Sequence, residues 1–160
     1  MRARTAVLVM VLAMVVPSAA LGHCQVPCGI YDDQMRIGMI EEHILTIEKA
    51  MMEIGELSMD GAKNYNQIVR WVETKEEHAQ AIQDIVAEYF LTQRIKPAPA
   101  GDDEAAAEYL AKLEQLHRML VFAMKCKQTT DVDAPAKLLV ATEAFSVLYF
   151  GEPNPYHHHH

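Results

Sequence analysis

The chain has 160 residues, with 14 basic and 22 acidic side chains and a formal net charge of −8. That acidity argues against nucleic acid and against an anionic membrane surface, since both need basic groups to replace counterions. Hydrophobic residues make up 51%, enough for one packed core, while Gly and Pro, 7 of each, are too few for low complexity and three cysteines too few for a disulfide-built scaffold.

Residues 1–22 have the three parts of a secretory signal. Arg2 and Arg4 precede an apolar run over residues 6–16, and Ser18-Ala19-Ala20-Leu21-Gly22 supplies a small-residue exit. The run has 11 residues, too few to span a bilayer, and Pro17 stops it. Ala20 and Gly22 occupy the −3 and −1 positions of a cut before His23. The expectation is export, to the periplasm or outside the cell, of a soluble protein that begins at His23 and keeps no stable membrane association. A lipoprotein signal would place a cysteine directly after the cut. Loss of Arg2 and Arg4 leaves 12 basic against 22 acidic residues, a net charge of −10.

The next nine residues, His-Cys-Gln-Val-Pro-Cys-Gly-Ile-Tyr over 23–31, carry the chemistry. After the cut His23 has a free α-amine. That amine and the deprotonated amide of Cys24 close one five-membered chelate ring around a metal, and the amide with the Cys24 thiolate closes a second. Three donors are thereby held nearly in a plane. Cys28 supplies a fourth if the chain turns back, which Pro27 and Gly29 favour, and the His23 imidazole reaches over the plane as an axial ligand. A planar set of two nitrogens and two sulfurs selects Ni(II) or Cu(II) over tetrahedral zinc. Anionic donors and an axial imidazole suit Ni(III), so the site cycles between two oxidation states. Its ligands must be deprotonated, so binding weakens in acid. The blander reading is a Cys24–Cys28 disulfide closing a tight loop.

Four amphipathic stripes follow. Asp32 and Asp33 suit the start of the first helix, as caps and as charges favoured by its dipole. Ile40, Ile44, Ile47, Met51 and Ile54 form its apolar face, and residues 58–64 with Asp60-Gly61 read as the turn that ends it. The second stripe is Ile68, Val72, Lys75, Ala79, Ile82, Val86 and Tyr89, with Lys75 its one polar member. Pro97, Pro99 and Gly101 mark residues 96–103 as a linker between helices. The third stripe is Ala106, Leu110, Leu113, His117, Leu120 and Met124. Asp133 before Ala134-Pro135 opens the fourth, whose apolar positions are Leu138, Ala141, Phe145 and Leu148.

No useful strand-like alternation is present. Short connections force neighbouring helices antiparallel, so the predicted fold is all-α: an up-down-up-down four-helix bundle over residues 32–150 with an N-terminal metal-binding hook at 23–31. Cys126 reads as a buried or incidental thiol, and His43 and His117 as satisfied interior or interface side chains. The methionines at 35, 39, 51, 52, 119 and 124 read as core or interface filler, and Trp71 as packing. Glu73, Glu76 and Glu77 read as a solvated face. Residues 151–160 form a tail whose histidines at 157–160 are either a truncated purification tag or a native metal-gathering end, with no catalytic role.

H-C-Q-V-P-C-G-I-Y resembles the nickel hook of the nickel superoxide dismutases, H-C-x-x-P-C-G-x-Y, at six specified positions. The four-helix fold and the Tyr89-Phe90 pair extend the resemblance along the chain. It implies one nickel ion per subunit, bound by the His23 amine and imidazole, the Cys24 amide and thiolate and the Cys28 thiolate. It implies disproportionation of superoxide to dioxygen and hydrogen peroxide by Ni(II)/Ni(III) cycling, with Tyr31 as the phenol beside the open face and Tyr89 as its neighbour. A homohexamer that holds each hook against neighbouring subunits is implied as well. Gln25 stands where actinobacterial members often carry Asp. His78, in Lys75-Glu76-Glu77-His78-Ala79, stands where those members place Arg, which makes it a candidate neighbour of the axial imidazole. Glu41 and Glu42 lie near a first-helix family glutamate, but their spacing from Cys28 differs and neither is assigned its role. The alternatives are an exported nickel-binding or nickel-carrying module without turnover, and a helical interaction domain with a Cys24–Cys28 disulfide. Tyr31 and the Pro27-Cys28-Gly29 turn favour the enzyme, because a carrier needs no phenol over an open face.

Overall fold

The computed structural model describes residues 25–152. The proposed leader, His23, Cys24 and the histidines at 157–160 lie outside the described residues. Four α-helices make up the described chain: α1 Asp33–Ser58, α2 Gly61–Asp84, α3 Asp103–Gln128 and α4 Asp133–Phe150. A π-helical extension, Ile85–Arg94, continues α2. Packing of α1 on α2, α2 on α3, α3 on α4 and α4 on α1 closes the bundle, with no strand among the described residues.

Local chemistry sets the helix ends. The Asp32 side chain accepts the Met35 N–H at 3.0 Å and caps α1, and Asp102 does the same for Ala105 at 2.9 Å at the start of α3. The turn between α1 and α2 is shorter than the sequence suggests, because the Asp60 carbonyl at once accepts the N–H groups of Lys63 and Asn64 and starts the next helix. Gly151, at φ +81°, ends α4 in a left-handed conformation and returns its N–H to the Val147 carbonyl.

The α1 stripe is buried as its periodicity predicts. In α2 the core begins only at Lys75; Ile68 is half-buried and Val72 is exposed. The inward face of α3 is Leu116, Met119, Ala123 and Cys126, one position round from the predicted stripe, which leaves Leu110, His117 and Met124 exposed. Lys75 explains this orientation: its ammonium, 3% exposed as a residue, donates to the carbonyls of Cys126 at 2.7 Å and Lys127 at 2.6 Å. It thereby satisfies acceptors that the end of α3 would otherwise leave open. In α4, Leu138, Ala141 and Phe145 are buried as predicted, whereas Leu148 is exposed and Tyr149 turns inward onto Phe90 and Phe145.

Candidate metal centre

Residues 25–32 run without helix along the end of the bundle formed by the start of α1, the close of the α2 extension and the last turn of α4. Cys28 is a free, exposed thiol. Gly29 directly after it has φ +79°, in the region that a side chain disfavours, so the chain turns where the motif requires. Tyr31, three positions on, is tied down on three sides. Its ring meets the Tyr89 ring edge-on at 5.8 Å, the Arg94 guanidinium lies 4.4 Å from its centroid, and its hydroxyl donates to Gln93 Oε1 at 3.4 Å.

Behind Tyr31 a single carboxylate gathers three elements. Arg94 donates through Nε and Nη2 to the two oxygens of Asp33 at 2.8 and 2.7 Å. The Tyr89 hydroxyl donates to Asp33 Oδ1 at 2.6 Å and the Tyr149 hydroxyl to Oδ2 at 2.8 Å. Burial works against the charge on Asp33, but hydrogen bonds from Arg94, Tyr89 and Tyr149 outweigh it and hold the carboxyl below its usual range. Burial and then the Asp33 acceptor push the Tyr149 phenol up to about 12, and Tyr89 is raised for the same reasons. Both phenols therefore stay protonated and donate to an ionised Asp33. The Arg36 guanidinium lies over the Tyr89 ring, 5.0 Å from its centroid.

Of the residues singled out from sequence, Cys28, Tyr31 and Tyr89 come to this end of the bundle. His23 and Cys24 are outside the described residues. His78 is elsewhere: its Nδ1 is 2.8 Å from Nδ1 of His43 between α2 and α1, with the rings edge to face. It is 11 residues before Tyr89, roughly 15 Å along the helix. Cys126 is buried, and burial pushes its thiol up to about 11. Of the first-helix glutamates, Glu41 is buried and Glu42 exposed. Sequence reasoning missed Gln93, Arg94 and Tyr149, and it read Asp33 only as a helix-start charge.

Among the described residues, no three His, Cys, Asp or Glu side chains converge as a metal site. The donor chemistry of the hook nonetheless fits nickel: Cys28 is an uncommitted thiol at a chain reversal, and the adjoining His23 and Cys24 of the sequence would offer two nitrogens and a second sulfur. The family model for nickel-containing superoxide dismutase matches residues 18–152, which takes in the hook and all four helices. The chain belongs to the nickel-containing superoxide dismutases. No curated protein and no solved structure matches it. The dismutase is an oxidoreductase with superoxide as substrate and nickel as cofactor. No helix among its described residues is long and apolar enough to cross a membrane.

Proposed function

We propose that the mature dismutase begins at His23 and holds one nickel ion through the His23 amine and imidazole, the Cys24 amide and thiolate, and the Cys28 thiolate. The observation that carries this reading is a free Cys28 thiol on a left-handed turn, three residues ahead of a Tyr31 held on three sides. When bound, nickel supplies one-electron cycling between Ni(II) and Ni(III). The dismutation consumes two superoxide anions and two protons, and gives dioxygen and hydrogen peroxide.

The chain's own residues do the rest. Tyr31 presents the one phenol of this cluster whose hydroxyl is not committed to Asp33, and it orders the anion or water at the mouth of the hook. Tyr89 backs the Tyr31 ring while its own hydroxyl donates to Asp33. His78 is paired with His43, which favours a role in joining α1 to α2 over one at the hook.

The leader at residues 1–22 supports export to the periplasm or the extracellular space. Assembly into a homohexamer belongs to this reading through the family alone.

The test compares nickel-loaded protein starting at His23 with a version carrying one extra N-terminal residue. The extension converts the amine into an amide, and superoxide removal is expected to vanish. Full activity in the extended form sinks the ligand assignment.

A further inference from the structure

We propose that Gln93 and Arg94 form a two-point positioning clamp, fixing the Tyr31 phenol and the backbone of the hook against the bundle before nickel is bound. This deepens the reading of residues 23–31 as the hook with Tyr31 at its mouth, and it rests on that reading.

The clamp is a product of the unusual winding that closes α2. The Gln93 side chain caps the Glu88 carbonyl at 2.9 Å, Thr92 Oγ1 donates to the Ala87 carbonyl at 2.7 Å, and the Ile95 N–H donates to the Phe90 carbonyl at 2.9 Å, each spanning five residues. Arg94 is five residues after Tyr89. An α-helix would rotate it about 140° away from Tyr89, whereas π winding returns it to the same side. That return is what lets Tyr89 and Arg94 share Asp33 and touch Tyr31 together.

Each half of the clamp uses a group that a simpler residue lacks. Gln93 is 8% exposed, and its amide accepts from the Tyr31 hydroxyl at 3.4 Å while donating to the Val26 carbonyl at 3.4 Å. A planar end that both accepts and donates is needed to hold side chain and main chain of the hook at once. Arg94 lies over the ring of Tyr31 and is pinned by both oxygens of Asp33, a geometry that a point-charge ammonium cannot reproduce. None of these contacts involves the metal ligands. Two consecutive residues therefore fix where the phenol oxygen sits relative to an incoming anion, and small misplacements there are costly in rate.

The test uses mature protein with ring-labelled tyrosine, observed by NMR with and without nickel. Gln93→Leu and Arg94→Lys are each expected to move the Tyr31 signal and to leave that of Tyr65, near the opposite end of the bundle, in place. In loaded enzyme both variants keep nickel content and thiolate absorption but lose about tenfold in kcat with little change in KM. Combining Gln93→Leu with Tyr31→Phe loses no more than Tyr31→Phe alone, because the hydroxyl is already gone. A Tyr31 signal unmoved in both variants, or losses that multiply in the combined variant, overturns the clamp. Full activity in Tyr31→Phe, with its signal still responsive to Gln93 and Arg94 in the unmutated background, leaves the clamp standing and counts instead against Tyr31 at the metal.

Discussion

Arg94 holds Asp33 by a two-pronged ion pair, joining the close of the α2 extension to the first turn of α1 across 61 positions of sequence. The carboxylate also accepts both Tyr89 and Tyr149, so its removal releases three donors at once. Asp33→Asn is expected to cost about 2 kcal/mol, the scale of hydrogen bonds to a charged group, and to lower the titration of Tyr149 from about 12 towards the ordinary phenol range. Denaturant unfolding and tyrosinate absorbance read the two effects. Because the folded state depresses the carboxyl of Asp33, its contribution is complete above the usual carboxylate range near 3.8 and is lost as pH falls below it.

The His43–His78 pair predicts a second acid response at milder pH. Desolvation and then His78 lower the basicity of His43, with Glu42 opposing them. The unfolded chain takes up a proton near pH 6.5 more readily than the folded one, so stability declines as pH falls through and below 6.5. Melting temperatures measured from pH 7.5 to 5 are expected to drop in the parent and to drop less in His43→Gln. Equal slopes in the two proteins would show that His43 does not titrate as described.

Lys75 tests what orients α3. Lys75→Met keeps the apolar stem and removes the ammonium, leaving the Cys126 and Lys127 carbonyls short of a donor. A loss of about 2–3 kcal/mol in unfolding free energy is expected, with the nickel-thiolate absorption unaltered.

The two described cysteines separate by reactivity. Iodoacetamide at pH 8 is expected to label nickel-free Cys28, which is exposed, and to spare Cys126, which is buried with its thiol pushed up to about 11. Mass spectrometry of tryptic peptides reads the difference. Cys28→Ser is expected to abolish the nickel-thiolate band, and Cys126→Ser to leave it intact.

What the sequence made legible was local. The α1 stripe, the Asp32 cap and the Pro-rich linker each depend on neighbours a few residues apart, and the motif that points to the family is nine consecutive residues. The inward face of α3 was misjudged because its larger apolar residues lie beside the true core positions, where small Ala123 and Cys126 face inward and Lys75 caps the helix end. The Asp33 cluster was invisible for a different reason. Tyr149 is 116 positions from Asp33, and Arg94 reaches it only because the helix carrying it changes winding, which a 3.6-residue pattern does not encode.

Tyr149 also belongs to the last turn of α4, two residues before the glycine that ends it. The last turn of α4 is thus wired to the same carboxylate that holds Tyr89 and Arg94 against Tyr31. Cargo fused closely behind position 151, or a truncation that frays that turn, would be felt at the opposite terminus; a long flexible spacer is the safer attachment for immobilising or labelling this enzyme.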